Sequence, residues 1–368
     1  MRLQLTASPM PLLARTISVT LAALVVIAVT AAGTARADGE LTMRGVYYKE
    51  RSTRVVQPML DGLFGVGENG QADAHLLVDA ITSASVAAGE VLEEKRYEAG
   101  GGYRHQLGRL RLGGQARYST EPDYKSIYGG VSAALELFDK NLTVGLAAGA
   151  GHDWINNAGM PSSTLEKREL SNYLGSLSLS QILSENAIIS FTYDLTYASG
   201  FQANIYRSEL INGLPVHERH PEQRTRHALA SSLRRFIPGT STTVVLGYRY
   251  YTDDWGVEGH TPEVGVIQDV GDHVTFGLRY RFHTQREADF YRDRYDDPNV
   301  MYVSDDAKLS RFDSHTLGAR FAIAGAALGF GGLLGAMTGE LVIEYVAQDN
   351  AFGNAGIAHA ALTIPFGY

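Results

Sequence analysis

Apolar and polar positions alternate along much of this chain. Ala187, Ile189, Phe191, Tyr193, Leu195 and Tyr197 are interleaved with Ile188, Ser190, Thr192, Asp194 and Thr196. Val274, Phe276, Leu278, Tyr280 and Phe282 alternate with Thr275, Gly277, Arg279 and Arg281. Segments 110–118 and 341–345 repeat the pattern. Residues two apart share one face of a strand, so each segment reads as a strand with one apolar and one polar face.

Two architectures accept such strands. A soluble sandwich hides the apolar face in a core. A transmembrane barrel turns it to lipid and encloses the polar face. Runs of about 10–14 residues suit a tilted membrane-spanning strand better than soluble strands of about 5–6. Tyr and Phe crowd the apolar face near strand ends, as in interfacial girdles.

The connections alternate in length. Short ones fall at 67–70, 107–108, 139–140, 184–185, 238–239 and 271–272, with a Gly-rich one at 325–337. Longer ones fall near 87–92, 121–123, 155–166, 200–222, 254–256, 288–307 and 349–355. Short periplasmic turns, long outer loops and an even strand count define outer-membrane barrels. Taking 41–50 and 55–64 as separate strands gives an all-β, antiparallel transmembrane barrel of about 16 strands, within a range of about 14–18. Segment 55–64 is the weakest strand, because Pro58 lacks a ladder donor.

The N-terminus adds a destination. Arg2 and Arg15 precede an apolar run of 16 residues at 17–32, and Ala35, Arg36 and Ala37 form an A-x-A site. That is a secretory signal peptide, and the run is short for a membrane anchor, which needs about 20 residues. The domains expected are therefore a signal peptide, 1–37, and an outer-membrane barrel, 38–368. Removing Arg2, Arg15 and Arg36 takes the net charge from −8 to −11. The final alternation of Ala360, Leu362, Ile364, Phe366 and Tyr368 ends on an aromatic residue. Phe366 and Tyr368 thus resemble the insertion signal of outer-membrane barrels, which makes the barrel-assembly machinery and outer-membrane lipid expected partners.

Composition narrows the class further. With 45% hydrophobic residues and 20 Tyr the chain is not disordered. Without Cys it has no disulfide, thiolate or Cys-ligated zinc chemistry. A net acidic charge argues against nucleic acid as a partner.

A resemblance supports the same reading. The segment VVQPMLDGLFGVGENGQADAHLLVDAITSAS at 55–85 follows MRGVYYKERS and precedes EKRYEAGGGYRH. Together they resemble the bacterial outer-membrane family catalogued as domain of unknown function 3570. The resemblance implies an outer-membrane barrel of a Gram-negative bacterium. It brings no activity and no catalytic residues.

Period two assigns the enclosed face. It carries Asp73, His75, Asp79 and Ser83, then Glu94, Arg96, Glu98, Arg104, Arg109, Arg111 and Arg117. Glu136, Asp194, Arg234, Arg249, Glu263, Arg279, Arg281, Arg320, Glu340 and Glu344 follow. Charges there must be hydrated or paired. They would set the selectivity of a water-filled pore, or lock a sealed interior in ion pairs. Arg outnumbers carboxylate over 94–117, which would favour anions locally.

The remaining motifs are weaker than their structural explanations. The sequence GVGENG at 65–70 matches G-x-G-x-x-G, yet Asn69 and Gly70 signal a hairpin between strands. Asp289, Asp293, Asp296, Asp297, Asp305 and Asp306 could collect Ca²⁺, with Asp293, Asp296 and Asp297 the best candidates. Interleaved Arg292, Arg294 and Arg311 make a solvated, self-paired loop the better reading, so no metal is expected. His217 and His220 read as a polar loop. Trp154 and Trp255 read as interfacial anchors beside solvated acids. His105 and His152 face outward by parity, with no distinctive serine context, so no enzyme and no cofactor are expected. The function expected is a porin-like channel for small solutes with a charged lumen. A plugged structural, scaffold or adhesin barrel that binds a partner is the alternative. The oligomeric state is left open.

Overall fold

A computed structural model describes residues 38–85, 90–156, 168–205 and 207–367. The segment 1–37, expected to be a signal peptide, and Tyr368 lie outside the described residues, as does most of the connection at 155–166. The strands are β1 (Gly39–Lys49), β2 (Thr53–Val66), β3 (Gly70–Ser85), β4 (Glu90–Leu107), β5 (Leu110–Thr120) and β6 (Tyr124–Leu137). Next come β7 (Leu142–Ile155), β8 (Arg168–Ser184), β9 (Ala187–Gly200), β10 (Ser208–Ile211), β11 (Leu214–His217) and β12 (Gln223–Ile237). The last are β13 (Thr242–Asp253), β14 (Glu258–Val270), β15 (Val274–Gln285), β16 (Phe312–Ala324), β17 (Thr338–Gln348) and β18 (Ala355–Phe366).

All but β10 and β11 form one closed antiparallel barrel in which each strand pairs with its chain neighbours. β1 meets β18, with Gly39 opposite Phe366. The barrel has the 16 strands expected, and β10 and β11 form a separate hairpin inside the loop between β9 and β12. Pro58 does lie in a strand. The pairing of β2 with β3 skips from Val56 to Met59 without changing register, so the missing donor costs a local gap and no bulge. Pro262 leaves the same gap between β14 and β15.

The six turns read as short and the Gly-rich connection 325–337 all lie at one end of the barrel, although 50–52 and 121–123 at the other end are also only three residues long. Gly67 and Gly108 take φ of +62° and +59°, the left-handed conformation that tight hairpins require and that glycine adopts without a Cβ clash. The turn after β6 reaches the same region with Phe138, Asp139 and Lys140, all at positive φ.

Outside, the apolar face is bare. Leu278, Val131, Leu146, Leu317 and Ile343 are each more than half exposed. A soluble sandwich would bury these positions. A continuous apolar outer wall is the surface that lipid covers. Tyrosine–histidine pairs punctuate it: Tyr193 with His227 at 2.8 Å, Tyr248 with His260 at 2.6 Å and Tyr280 with His315 at 2.7 Å.

At the other end the two longest loops pack on each other. Residues 201–222 and 286–311 exchange backbone hydrogen bonds between Arg219 and Val303, both at 2.9 Å. Ile211, Val303 and Tyr295 form one buried cluster; Trp255, Val257, Ala288 and Leu309 form another. Each loop thus supplies the apolar cover the other lacks, and together they make an ordered outer cap.

Candidate functional site: the barrel interior

Strand register carries the enclosed face from strand to strand. Asp79 lies opposite Arg96, Gly265 opposite Arg279, and Gly318 opposite both Arg279 and Glu344. Every charged candidate from Asp79 to Glu344 therefore alternates with the exposed apolar wall and points inward. The structure does not treat them alike.

On β1–β6 the charges are consumed. Arg44 pairs with Asp61 at 3.8 Å, and Asp61 with His75 at 2.5 Å. His75 meets Glu98 at 3.7 Å, and Glu98 meets Arg117 at 3.6 Å. The chain crosses five strands. Beside it, Arg96 grips Asp79 at 2.5 Å, Arg104 faces Asp73 at 3.7 Å, and Arg111 faces Glu136 at 3.4 Å. The surplus of Arg over 94–117 is thus a surplus in sequence only. Asp73, Asp79 and Glu136, from outside that stretch, cancel it in space. Glu94 also has an interaction partner.

β7–β9 contribute small and hydroxyl groups. Asp194 accepts from Ser176 Oγ at 2.6 Å, and Ser180 and Ser190 share a hydrogen bond at 3.1 Å.

β12–β17 differ again. Arg279 bonds Glu344 and reaches Glu263 at 3.4 Å. Arg320 holds Glu340 at 2.5 Å. Glu263 stands opposite Arg281 in register, yet turns to Arg279. Among the described residues, Arg234, Arg249 and Arg281 have no carboxylate within ion-pairing distance; Arg249 instead lies 5.5 Å from the Tyr251 ring. A recess of about 560 Å³ opens on this wall, lined in part by Arg234, Glu263, Arg279, Arg320 and Glu344.

The cap above this wall corrects two sequence readings. Segment 217–220 reads as a polar loop, and His217 and Arg219 are exposed, but the side chains of Glu218 and His220 are buried. Glu218 accepts from the backbone N–H of Asp305 at 2.9 Å and of Asn204 at 3.1 Å. His220 contacts Ser304 Oγ at 2.9 Å and the Gln202 carbonyl at 3.2 Å, and its ring packs against those of Trp255 and Phe290. Burial lowers the His220 pKa, against the pull of the Glu218 charge. It raises the carboxyls of Asp305 and Glu209. Trp255 is no interfacial anchor either. It is buried, donates to the Gln223 carbonyl at 2.8 Å and carries the Arg224 guanidinium 4.1 Å above its ring. Asp253 beneath it accepts from Arg224, Tyr251, Trp255 and Val257. Period two could not find this core, because loop packing has no period. Trp154 does face outward, half exposed.

The acidic loop is spread out. Asp296 pairs with Arg294 at 3.3 Å, and Asp297 accepts from the Asn299 N–H at 2.9 Å. Among the described residues no three metal-ligating side chains converge. On the outer wall, His152 meets Ser171 at 3.0 Å and Glu169 at 3.7 Å, while His105 meets Tyr103 at 3.0 Å. Acyl transfer there would also need free N–H donors for an oxyanion. The N–H groups of β7 and β8 are engaged in ladders on both sides.

A closed antiparallel barrel with a bare apolar exterior and a charged interior is the outer-membrane β-barrel class. Over residues 88–327 the chain matches the family described as protein of unknown function (DUF3570), and it belongs to that family. Among solved structures it is similar to a bacterial polysaccharide outer membrane secretin, with a TM-score of 0.55 and 8% identity over 90% of this chain and 99% of that one. It is also similar to CdiB from Acinetobacter baumannii, with a TM-score of 0.52 and 9% identity over 90% of this chain and 60% of that one. A BenF-like porin from Pseudomonas fluorescens Pf-5 aligns with a TM-score of 0.49 and 10% identity, over 90% and 98% of the two chains. At such identities the likeness is one of fold. No curated protein sequence matches the chain.

Proposed function

We propose that this protein is a passive conduit for small solutes across the outer membrane of a Gram-negative bacterium, with luminal arginines setting its preference. Export by a cleaved signal peptide and insertion by the assembly machinery through the C-terminal strand complete the reading. One observation carries it. Arg234, Arg249 and Arg281 keep their charge uncompensated on an inner wall that also holds a recess of about 560 Å³. A sealed interior would neutralise each cation, because an unpaired charge away from water is costly. These three need water or a passing anion. A barrel of about 16 strands is wide enough for an aqueous channel.

The test is single-channel recording of the mature chain, refolded in detergent and inserted in a planar bilayer under a salt gradient. Discrete conductance steps with an anion-directed reversal potential are expected. A folded, heat-modifiable barrel that passes no current would sink the conduit reading.

A further inference from the structure

The connection between β16 and β17 is unlike the other six at its end. Those are hairpins of two to four residues, and the turns 67–69, 108–109, 138–141, 185–186 and 271–273 each carry a charged side chain. Connection 325–337 has 13 residues and no Asp, Glu, Lys or Arg. Leu328, Phe330, Leu333 and Leu334 are 62%, 52%, 49% and 58% exposed. Four bulky apolar side chains within seven residues are an unusual load for a turn standing in water.

Its backbone is folded on itself. A 3₁₀ turn at Gly325–Leu328 leads into a short helix, α1 (Gly332–Ala336). The N–H of Gly325 bonds the Met337 carbonyl at 2.8 Å, that of Phe330 bonds Gly325 at 3.2 Å, and that of Gly335 bonds Gly331 at 3.2 Å. Gly329 and Met337 donate inward as well, at 3.0 and 3.1 Å. Glycine makes this possible: a Cβ on Gly325 would strike the Leu334 carbonyl, and one on Gly335 the Phe330 carbonyl. The result is a knuckle that satisfies much of its own backbone and turns apolar side chains outward. Water asks for the first of these no more than for the second. The membrane interface suits both, because the apolar side chains reach acyl chain there while water still meets the N–H groups left over.

Position agrees with chemistry. The chain enters the knuckle from the outward-facing Phe321 of β16 and leaves it for the outward-facing Leu341 of β17, both on the apolar belt. α1 lies against β18, whose residues after Thr363 extend beyond the start of β17. The knuckle therefore sits past the last ladder rung of β17, beside the end of β18 and between two strands that leave the apolar belt. We propose that 325–337 is a membrane anchor, embedded in the periplasmic leaflet through Leu328, Phe330, Leu333 and Leu334. This rests on the membrane placement of the barrel and is independent of whether the lumen conducts.

The chain has no cysteine, so single-site labelling is clean. Phe330→Cys and Leu334→Cys would each carry a nitroxide, with Glu68→Cys in the 67–69 turn as the water reference and Leu278→Cys as the lipid reference. Each variant is refolded into phosphatidylcholine vesicles at a low protein-to-lipid ratio. Collision with oxygen, which partitions into lipid, is compared with collision with a water-soluble nickel chelate. The expected result is that labels at 330 and 334 behave as at 278, with oxygen collisions several-fold above nickel. Nickel access matching that at 68 would overturn the anchor and leave the turn in water. Protection from both reagents would also overturn it, by showing protein cover. A reference label at 278 that is itself nickel-accessible would instead indict the membrane placement of the barrel.

Discussion

The two sides of the barrel interior carry similar residue types and use them in opposite ways. Along β1–β5, Arg44, Asp61, His75, Glu98 and Arg117 form one continuous chain of polar contacts. Along β12–β15, Arg234, Arg249 and Arg281 have no carboxylate partner among the described residues, while Glu263 is committed to Arg279. The difference teaches that the field inside a barrel follows pairing across strands, and counting charges along the chain misleads. The first side braces the wall. The second leaves positive charge available to whatever occupies the interior.

Breaking the braced side should have the largest effect. Asp79 is 3% exposed and bonds Arg96 at 2.5 Å. Asp79→Ala removes a buried carboxylate from a guanidinium that is one-third exposed, and we expect a loss of about 2 kcal/mol. Urea unfolding followed by the heat-modifiable gel shift measures it. Arg281→Gln, on the open side, should cost less than about 0.5 kcal/mol by the same assay. Equal losses would erase the distinction between the two sides.

Selectivity should respond the other way round. Arg234→Glu, Arg249→Glu and Arg281→Glu together are expected to lower the anion-over-cation permeability ratio roughly fivefold. Arg111→Glu with Arg117→Glu should change it less, because Glu136 and Glu98 already offset those cations. Reversal potentials under a salt gradient decide between them. A smaller effect follows from screening. With a Debye length of about 3 Å at 1 M salt against about 10 Å at 0.1 M, the anion preference of the parent should fade as salt rises. A preference that holds at 1 M would point to direct coordination and away from a diffuse field.

The smallest effect concerns the cap, whose loops spring from the strands that carry the open side. An imidazole in an unfolded chain titrates near pH 6.5, and burial lowers His220 below that. Stability from neutral His220 is complete above about pH 6.5 and is lost as pH falls towards the lowered value. Asp305 and Glu209, with raised pKa values, favour their protonated forms in the folded cap and act in the opposite sense at lower pH. Hydrogen-exchange protection factors in 286–311, which remove the intrinsic pH dependence of exchange, should therefore fall between about pH 7.5 and about pH 5.5, and His220→Gln should flatten that response. An unchanged acid response in the variant would remove His220 as its source.

Much of the barrel is legible in the sequence for a physical reason. A strand facing lipid on one side and water on the other writes its environment at every second residue, and tight hairpins demand particular turn residues. That is why the turns at Gly67 and Gly108 and the even strand count can be read directly. Partners cannot. Nothing in the sequence around Glu98 says that it will meet His75 and Arg117, because register between strands decides that. The cap is less legible still: His220 and Glu218 meet a loop 84 and 87 residues away in the chain, and Trp255 packs against the same loop through Ala288 and Leu309. The connection at 325–337 is visible as Gly-rich, while its apolar face emerges only once the backbone is folded.

Thr42 on β1 and Thr363 on β18 share a hydrogen bond at 3.1 Å across 321 positions of chain. That seam joins the first strand to be synthesised with the last. Contact order this high is kinetically slow, because loop-closure entropy must be met before the contact rewards it. Until β18 arrives, β1 presents a naked edge able to template pairing with another chain. The cylinder is therefore completed in a single late event, and deleting β18 would leave an open sheet with two reactive edges in place of a slightly smaller barrel.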